Sequence, residues 1–539
     1  MTLRVAGGGV SVTVQGDAVG ETDGILGRLA ADGVPAALMA GKSSLWGPDV
    51  AEEAAGRLGW VHAPERSRRL LPRLAELSAR HAGHRVVLAG TGGAALAAQI
   101  IARTHGADLT LLDTTDPHQV GRALDAGVAH TVLVVSGRET VETDGVRRVF
   151  ERAFREASID PAERVVVVAP PGSSLEESAV RAGYEVVTAD AEVDGCFGAL
   201  SAYGLVPAAL CGADVARLLD EAEALVPSLG LAYDNPGLVL GATLGTSAAN
   251  GRDKLVIADN GSGLDGFGGW VEQLVAESTG KQGSGIVPVV VEDLAAPGFG
   301  FGEDVRRLVL GDRAEGVGLA VAGPLGAQFL LWEYAAAVAC RVIGVSPFDR
   351  PAVRESEDSV AGLLRGSEDG EAPIIVGCEP VLVDGEVEVH GDEDLLTGAK
   401  DLQDVFDALA YTVPAHGYLA ILAYLDEGGD ATAGLRPPLA RRVSGAHDAQ
   451  VTFGWGPRLL HSVGQLHKEG PAGGVFLQIT GAADDDLEVP GRPYSLATLQ
   501  LAQAFGDLRA LRSRGLPVLR LHLRDRAAGL ARLESALGG

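Results

Sequence analysis

Positive charge is in short supply in this sequence: 44 lysines and arginines stand against 72 aspartates and glutamates, a formal net charge of −28 over 539 residues. A surface that acidic repels polyanions, which argues against nucleic acid or an anionic membrane as a partner. An anionic metabolite can still bind, but only where local cations or helix N-termini overcome the overall field. Cysteine is scarce too. Cys196, Cys211, Cys340 and Cys378 are scattered, with no CxxC and no paired spacing. That is the pattern of free thiols in a reducing cytosol, not of disulfides or a zinc site. Uninterrupted apolar runs are missing: the longest, 317–345, is broken by Pro324, Glu333 and Arg341 and reads as a buried helix instead of a membrane span. The first residues alternate apolar and small types (Leu3, Val5, Val10, Val12, Val14), which predicts a strand and not the apolar core of a signal peptide. A cytoplasmic protein is the expectation.

What is present suits a buried core. Hydrophobic residues make up 46% and charged residues 22%, which is wrong for disorder, and the length suggests two domains or one large α/β unit. Short β-branched runs at 86–88, 109–112, 131–135, 165–168 and 185–187 alternate with helical stretches at 94–104, 141–157 and 174–182. Apolar strands separated by amphipathic helices predict a parallel sheet covered on both faces, here from about residue 60 to 235. A second unit starts near Lys254 with a strand and a helix at 269–278, then continues through 286–291, 306–310 and a long helix at 325–342. Strands return at 474–480 and 518–522. Before them the acidic stretch 367–394 holds strand-like Ile374 to Val376 and two short apolar runs flanking Asp384-Gly385, a hairpin signal expected on a solvated face.

Three segments carry candidate chemistry. Gly90-Thr91-Gly92-Gly93-Ala94-Ala95 follows a strand and opens a helix, where glycines permit a tight turn and unpaired N–H groups can meet an anion. With Asp113 ending the next strand it also fits a dinucleotide fingerprint, although many α/β folds need a glycine turn there. Glu277-Ser278-Thr279-Gly280-Lys281 puts a carboxylate at a helix end, either as a proton-transfer group or simply as the last turn before a closing glycine. In His461-Ser462-Val463-Gly464-Gln465-Leu466-His467, the two histidines six apart share no helical face well, which argues against a metal site.

Taken together and in order, these segments resemble one family. Glu277 to Lys281 followed by Gly285 to Val289, Trp332-Glu333-Tyr334 leading into Gly344 to Asp349, Gly456 to His461, Phe476 to Thr480 and Tyr494 to Asp507 are similar to the glucose-6-phosphate isomerases, closest to the bacterial branch also found fused to transaldolase. Leu112 to Pro117 and Ala199 to Pro207 agree as well. The resemblance implies an α/β fold of two sugar isomerase domains, at 61–235 and 236–539 with an acidic insertion near 365–395, and an N-terminal segment, 1–60, packing on the first. It implies aldose–ketose isomerisation of glucose 6-phosphate and fructose 6-phosphate through a cis-enediol, without cofactor or metal. The partner is a small sugar phosphate, and a homodimer is possible by analogy.

Carried over by residue, the resemblance makes Glu277 the base and His461 the ring-opening group. Gly92, Gly93, Ser136, Arg138, Thr140, Gln465 and Gln500 then fall at substrate-binding positions. Four places depart from the family pattern. Ala94 replaces a phosphate-contacting serine, and the loop Ser136-Gly137-Arg138-Glu139-Thr140 is two residues short and gains Glu139. Cys196 replaces the arginine that faces the enediolate, and Gln500 replaces a lysine. Each lost charge-assisted hydrogen bond to phosphate is worth roughly 1.5–3 kcal/mol. Three outcomes therefore stay open: a working isomerase, one with altered sugar specificity, or a non-catalytic paralogue with a binding, regulatory or assembly role.

Overall fold

The computed structural model describes residues 1–300, 302–368, 379–391, 395–429 and 431–538. The predicted α/β class is what it shows: three sheets, largely parallel, flanked by helices. The first contains Leu109–Leu112, Arg85–Gly90, Thr131–Ser136, Val165–Ala169 and Glu185–Thr188 in that spatial order, all parallel. Its strands are rich in Val and Leu because both faces are covered. Val86, Leu88, Val132 and Val134 face one apolar core, while Val87, Ala89, Leu133 and Val135 face another. The helices Gly93–Thr104 and Val141–Glu156 leave from the carboxyl ends of two of these strands, where ligands bind in open α/β sheets.

The expected second unit holds two sheets, not one. Lys254–Asn260, Val287–Val290, Val305–Gly311 and Leu319–Ala322 form a parallel set. Tyr418–Tyr424, Gln450–Trp455, Gly474–Gly481 and Val518–Leu523 form another. A shared apolar layer that includes Val256, Val309, Ala420 and Phe476 lies between them. The long apolar helix Leu325–Ile343 is buried within this half. It lies so close to Pro236–Ala249 that a Cβ at Gly241 would sit 2.6 Å from the Ala335 carbonyl oxygen. No helix among the described residues is long and apolar enough to cross a membrane.

Two expectations are corrected here. The N-terminal segment does not simply pack on the first unit. Its antiparallel strands Thr2–Gly7 and Val10–Gln15 extend the second sheet beside Leu319–Ala322, because Val10, Val12 and Val14 present one buried apolar face. The segment also touches the first unit: a Cβ at Gly8 would lie 2.4 Å from Leu225 Cα, and further on Trp60 stacks on Phe197 at 5.0 Å. The hairpin Leu382–Asp384 and Val387–His390 is real but is not wholly on a solvated face. Val387–His390 pairs with Val518–Leu523, and Val387 and Val389 are fully buried. The strand expected at Ile374 to Val376, together with Cys378, lies outside the described residues. Cys196, Cys211 and Cys340 are free thiols.

Candidate active site

A cleft of about 730 Å³ opens where the carboxyl ends of the first sheet face the elements around Glu277, Arg350 and His461. Gly92 lines it at φ +87°, a left-handed conformation that suits glycine. Gly93 stands behind it, where a Cβ would lie 3.2 Å from the Cys196 carbonyl oxygen. Ser136, Arg138, Glu139 and Thr140 form the next wall. Thr140 also caps the helix Val141–Glu156: its hydroxyl accepts from the Thr143 N–H at 3.3 Å, and its own N–H donates to the Thr143 hydroxyl at 3.0 Å. Glu139 lies 3.7 Å from Arg147.

Glu277 is placed by the turn that follows it. Gly280 is required there, since a Cβ would come within 2.5 Å of Leu466 Cα. The Thr279 hydroxyl accepts from the Ile286 N–H at 3.0 Å. Lys281, 1% exposed, donates to the Ser346 carbonyl at 2.5 Å and pairs with Asp349 at 3.2 Å. The turn is thereby tied to the segment that ends in Arg350. The Arg350 guanidinium reaches Glu277 Oε1 at 2.7 Å and also pairs with Asp194. Asp194 takes a second arginine, Arg57, at 3.0 Å, and Arg57 donates to the Phe348 carbonyl at 2.6 Å. Burial raises the pKa of Glu277 above the ordinary carboxylate value and outweighs the opposing pull of Arg350. For Asp194 burial also pushes upward, but Arg350 and Arg57 prevail and hold the carboxyl at about 2.

His461 stands in the same cleft. Its Nε2 lies 2.9 Å from Glu142 Oε1, and its Nδ1 is 4.0 Å from Glu357. Burial alone would lower the histidine pKa, yet Glu142 and Glu357 raise it above the ordinary value. Burial would likewise raise that of Glu142, but the adjacent imidazolium lowers it. Gln503 donates to Glu142 at 2.5 Å and accepts from Thr115 at 2.7 Å, which locks the carboxylate in place. The cleft thus holds a carboxylate and a histidine whose pKa values are both raised above the ordinary ones. That pairing can take a proton from carbon while delivering one to oxygen.

The remaining expected residues lie outside the lining. Gln465 is fully buried; it accepts from the Ala352 N–H at 3.1 Å and donates to the Gly280 carbonyl at 3.3 Å. Gln500 donates to Asp116 at 3.2 Å, and Asp116 also pairs with Arg526. Both glutamines sit on helix faces turned into the interior. His467 is buried against the Tyr418 and Phe476 rings, with its pKa pushed down to about 3 by burial. The Asp113 carboxylate, which a dinucleotide ribose would need, is held by Arg458 at 3.0 Å. Sequence reasoning missed Arg350, Asp194, Arg57 and Glu142. Arg350 directly follows the Gly344 to Asp349 run, so its nearness to a motif was the available signal.

No family model matches the chain. A protein named probable glucose-6-phosphate isomerase from Haloarcula marismortui is 35% identical over 213 residues, covering 38% of this chain and 48% of that protein. A glucose-6-phosphate isomerase from Cyanothece sp. is 30% identical over 215 residues, 36% of this chain and 40% of that protein. This chain is a homologue of the glucose-6-phosphate isomerases. The similarity spans about half or less of the length of these curated relatives. Among solved structures, a hypothetical protein from Thermus thermophilus superposes with a TM-score of 0.55 at 21% identity, covering 69% of this chain and all of that one. A glucose-6-phosphate isomerase from Chlamydia trachomatis superposes with a TM-score of 0.54 at 17% identity, covering 68% of this chain and 90% of that one. These two likenesses concern the fold.

Proposed function

We propose that the protein is an aldose–ketose isomerase for a phosphorylated hexose, with glucose 6-phosphate and fructose 6-phosphate as the pair to test first. The observation that carries this reading is the joint presence, in one cleft, of the buried Glu277 carboxylate and of His461 paired with Glu142 at 2.9 Å, both with pKa values raised above the ordinary ones. In this reading His461 protonates the ring oxygen to open the sugar. Glu277 then moves a proton between C2 and C1 through a cis-enediol. Gly92, Ser136, Arg138 and Thr140 offer donors for the substrate's anion, with Arg138 the sole cation among them. The reading includes two sugar isomerase domains at 61–235 and 236–539, a cytoplasmic location and a homodimer, the last checked by light scattering. The central test is a coupled assay that interconverts the two sugar phosphates with the purified full chain. Turnover supports the proposal, and its absence removes the standard activity.

A second reading, a non-catalytic paralogue, is favoured by one feature: the anion wall is poor in free donors. Ala94 has no hydroxyl, Thr140 serves a helix cap, and Gln500 is turned to Asp116. A protein without turnover whose melting temperature still rises with sugar phosphates would support that reading, since a ligand stabilises the form it binds.

A further inference from the structure

The position at which the isomerase resemblance calls for an arginine facing the enediolate holds Cys196, a buried residue whose neutral thiol offers no charge. A guanidinium nevertheless stands close by. Arg350 comes from a distant segment, bonds Asp194 two residues before Cys196, and lies 2.7 Å from Glu277. The Asp194 carboxylate also accepts from the Gly195 N–H at 2.6 Å, which fixes the Gly195–Cys196 turn against the arginine. About a quarter of the Arg350 side chain, 24%, is open, and it lines the cleft.

We infer that Arg350 is the cation that stabilises the enediolate, taking from another part of the chain the role left vacant at Cys196. The inference rests on the isomerase reading. In the forward step the Glu277 carboxylate removes the C2 proton of the open-chain aldose. The C2–H electron pair becomes the C1=C2 bond, and the C1 carbonyl π pair moves onto O1 as negative charge. The proton then returns from Glu277 to C1 while the O2 proton passes to O1, leaving a ketone at C2 with no net oxidation. As Glu277 becomes neutral it releases its hold on Arg350 just as charge appears on the substrate. A guanidinium that touches the base can therefore turn to the enediolate within one site. Such an interaction is stronger in the transition state than in the ground state, which is the condition for raising kcat. Pairing with Asp194 keeps the guanidinium in place throughout.

The test compares the full-length wild type with R350M, R350K and C196R/R350M in the coupled isomerase assay, with circular dichroism on each to check folding. The expected result for R350M is a kcat about 100-fold lower, in line with loss of one oxyanion donor, with KM changed by less than about threefold. Its acidic pH limb should move to higher pH, because Glu277 loses the charge that opposes its burial. C196R/R350M should recover about tenfold in kcat over R350M. Should R350M fail to fold, R350K decides: kcat lower by about tenfold with the acidic limb unmoved supports the role. A kcat within about threefold of wild type in whichever variant folds, or a loss confined to KM, overturns it. If the wild type itself shows no turnover, the isomerase reading falls and the inference falls with it; turnover in the wild type with an unaffected variant removes only Arg350's role.

Discussion

The two walls of the cleft treat their charged groups differently. On the wall of Glu277, Arg350, Asp194, His461 and Glu142, each charge has an opposite partner within 3.0 Å, and the Glu277 and Glu142 carboxylates are buried. On the wall of Gly92, Ser136, Arg138, Glu139 and Thr140, hydroxyls are few, one of them caps a helix, and Glu139 adds negative charge with Arg147 no closer than 3.7 Å. Buried ion networks are costly to break, because removing one partner strands the other, at about 3–5 kcal/mol. Loops near water lose and gain donors at little cost to folding. The contrast suggests a chain in which the proton-transfer apparatus is locked into the fold while the grip on the substrate's anion is free to change.

The sharpest way to break this comparison is Glu277→Gln. If the first wall performs proton transfer, kcat falls by about 10³-fold in the coupled assay with little change in KM. Glu142→Gln should have a smaller effect that depends on pH. Without Glu142 the His461 pKa falls, since only Glu357 and Glu277 still oppose its burial, so the alkaline loss of activity begins at lower pH and activity at pH 8 drops about tenfold. The same variant carries a stability signature. His461, raised in the folded state, contributes stability fully below its unfolded value of 6.5 and loses it as pH climbs through the folded value. Glu142, depressed in the folded state, contributes fully above 4.5 and loses it as pH falls through the folded value. The stability gap between wild type and variant, read by denaturant titration, should therefore be widest between pH 4.5 and 6.5. Glu139→Gln is the mildest change and acts on the other wall. Removing a like charge worth about 1 kcal/mol near water should lower KM for a sugar phosphate about threefold to fivefold, leaving kcat unchanged.

Much of this was legible in the chain. The five strands of the first sheet are short runs rich in Val and Leu bounded by turns, and local pattern suffices to find them. Glu277 and His461 stand in motifs whose backbone demands, such as Gly280 against Leu466, hold the motif together. The division of 236–539 into two sheets was not legible, because both follow the same strand–helix alternation and only the apolar layer between them marks the boundary. Gln465 and Gln500 lie in recognisable motifs, but which way a helix face turns is set by packing partners far away in sequence. Arg350 was hidden for a related reason: its meaning depends on residues 194 and 277 meeting it in space. Thr140 was recognised as a hydroxyl in the loop, and only the structure adds that it also closes a helix.

Proton transfer at Glu277 can be observed without relying on overall turnover. Wild-type protein incubated with glucose 6-phosphate in D2O should incorporate deuterium at C2, seen by NMR, because a proton held on a carboxylate exchanges with solvent before it returns. Glu277→Gln should incorporate none over the same period. Equal incorporation by both proteins would contradict a cis-enediol route through Glu277.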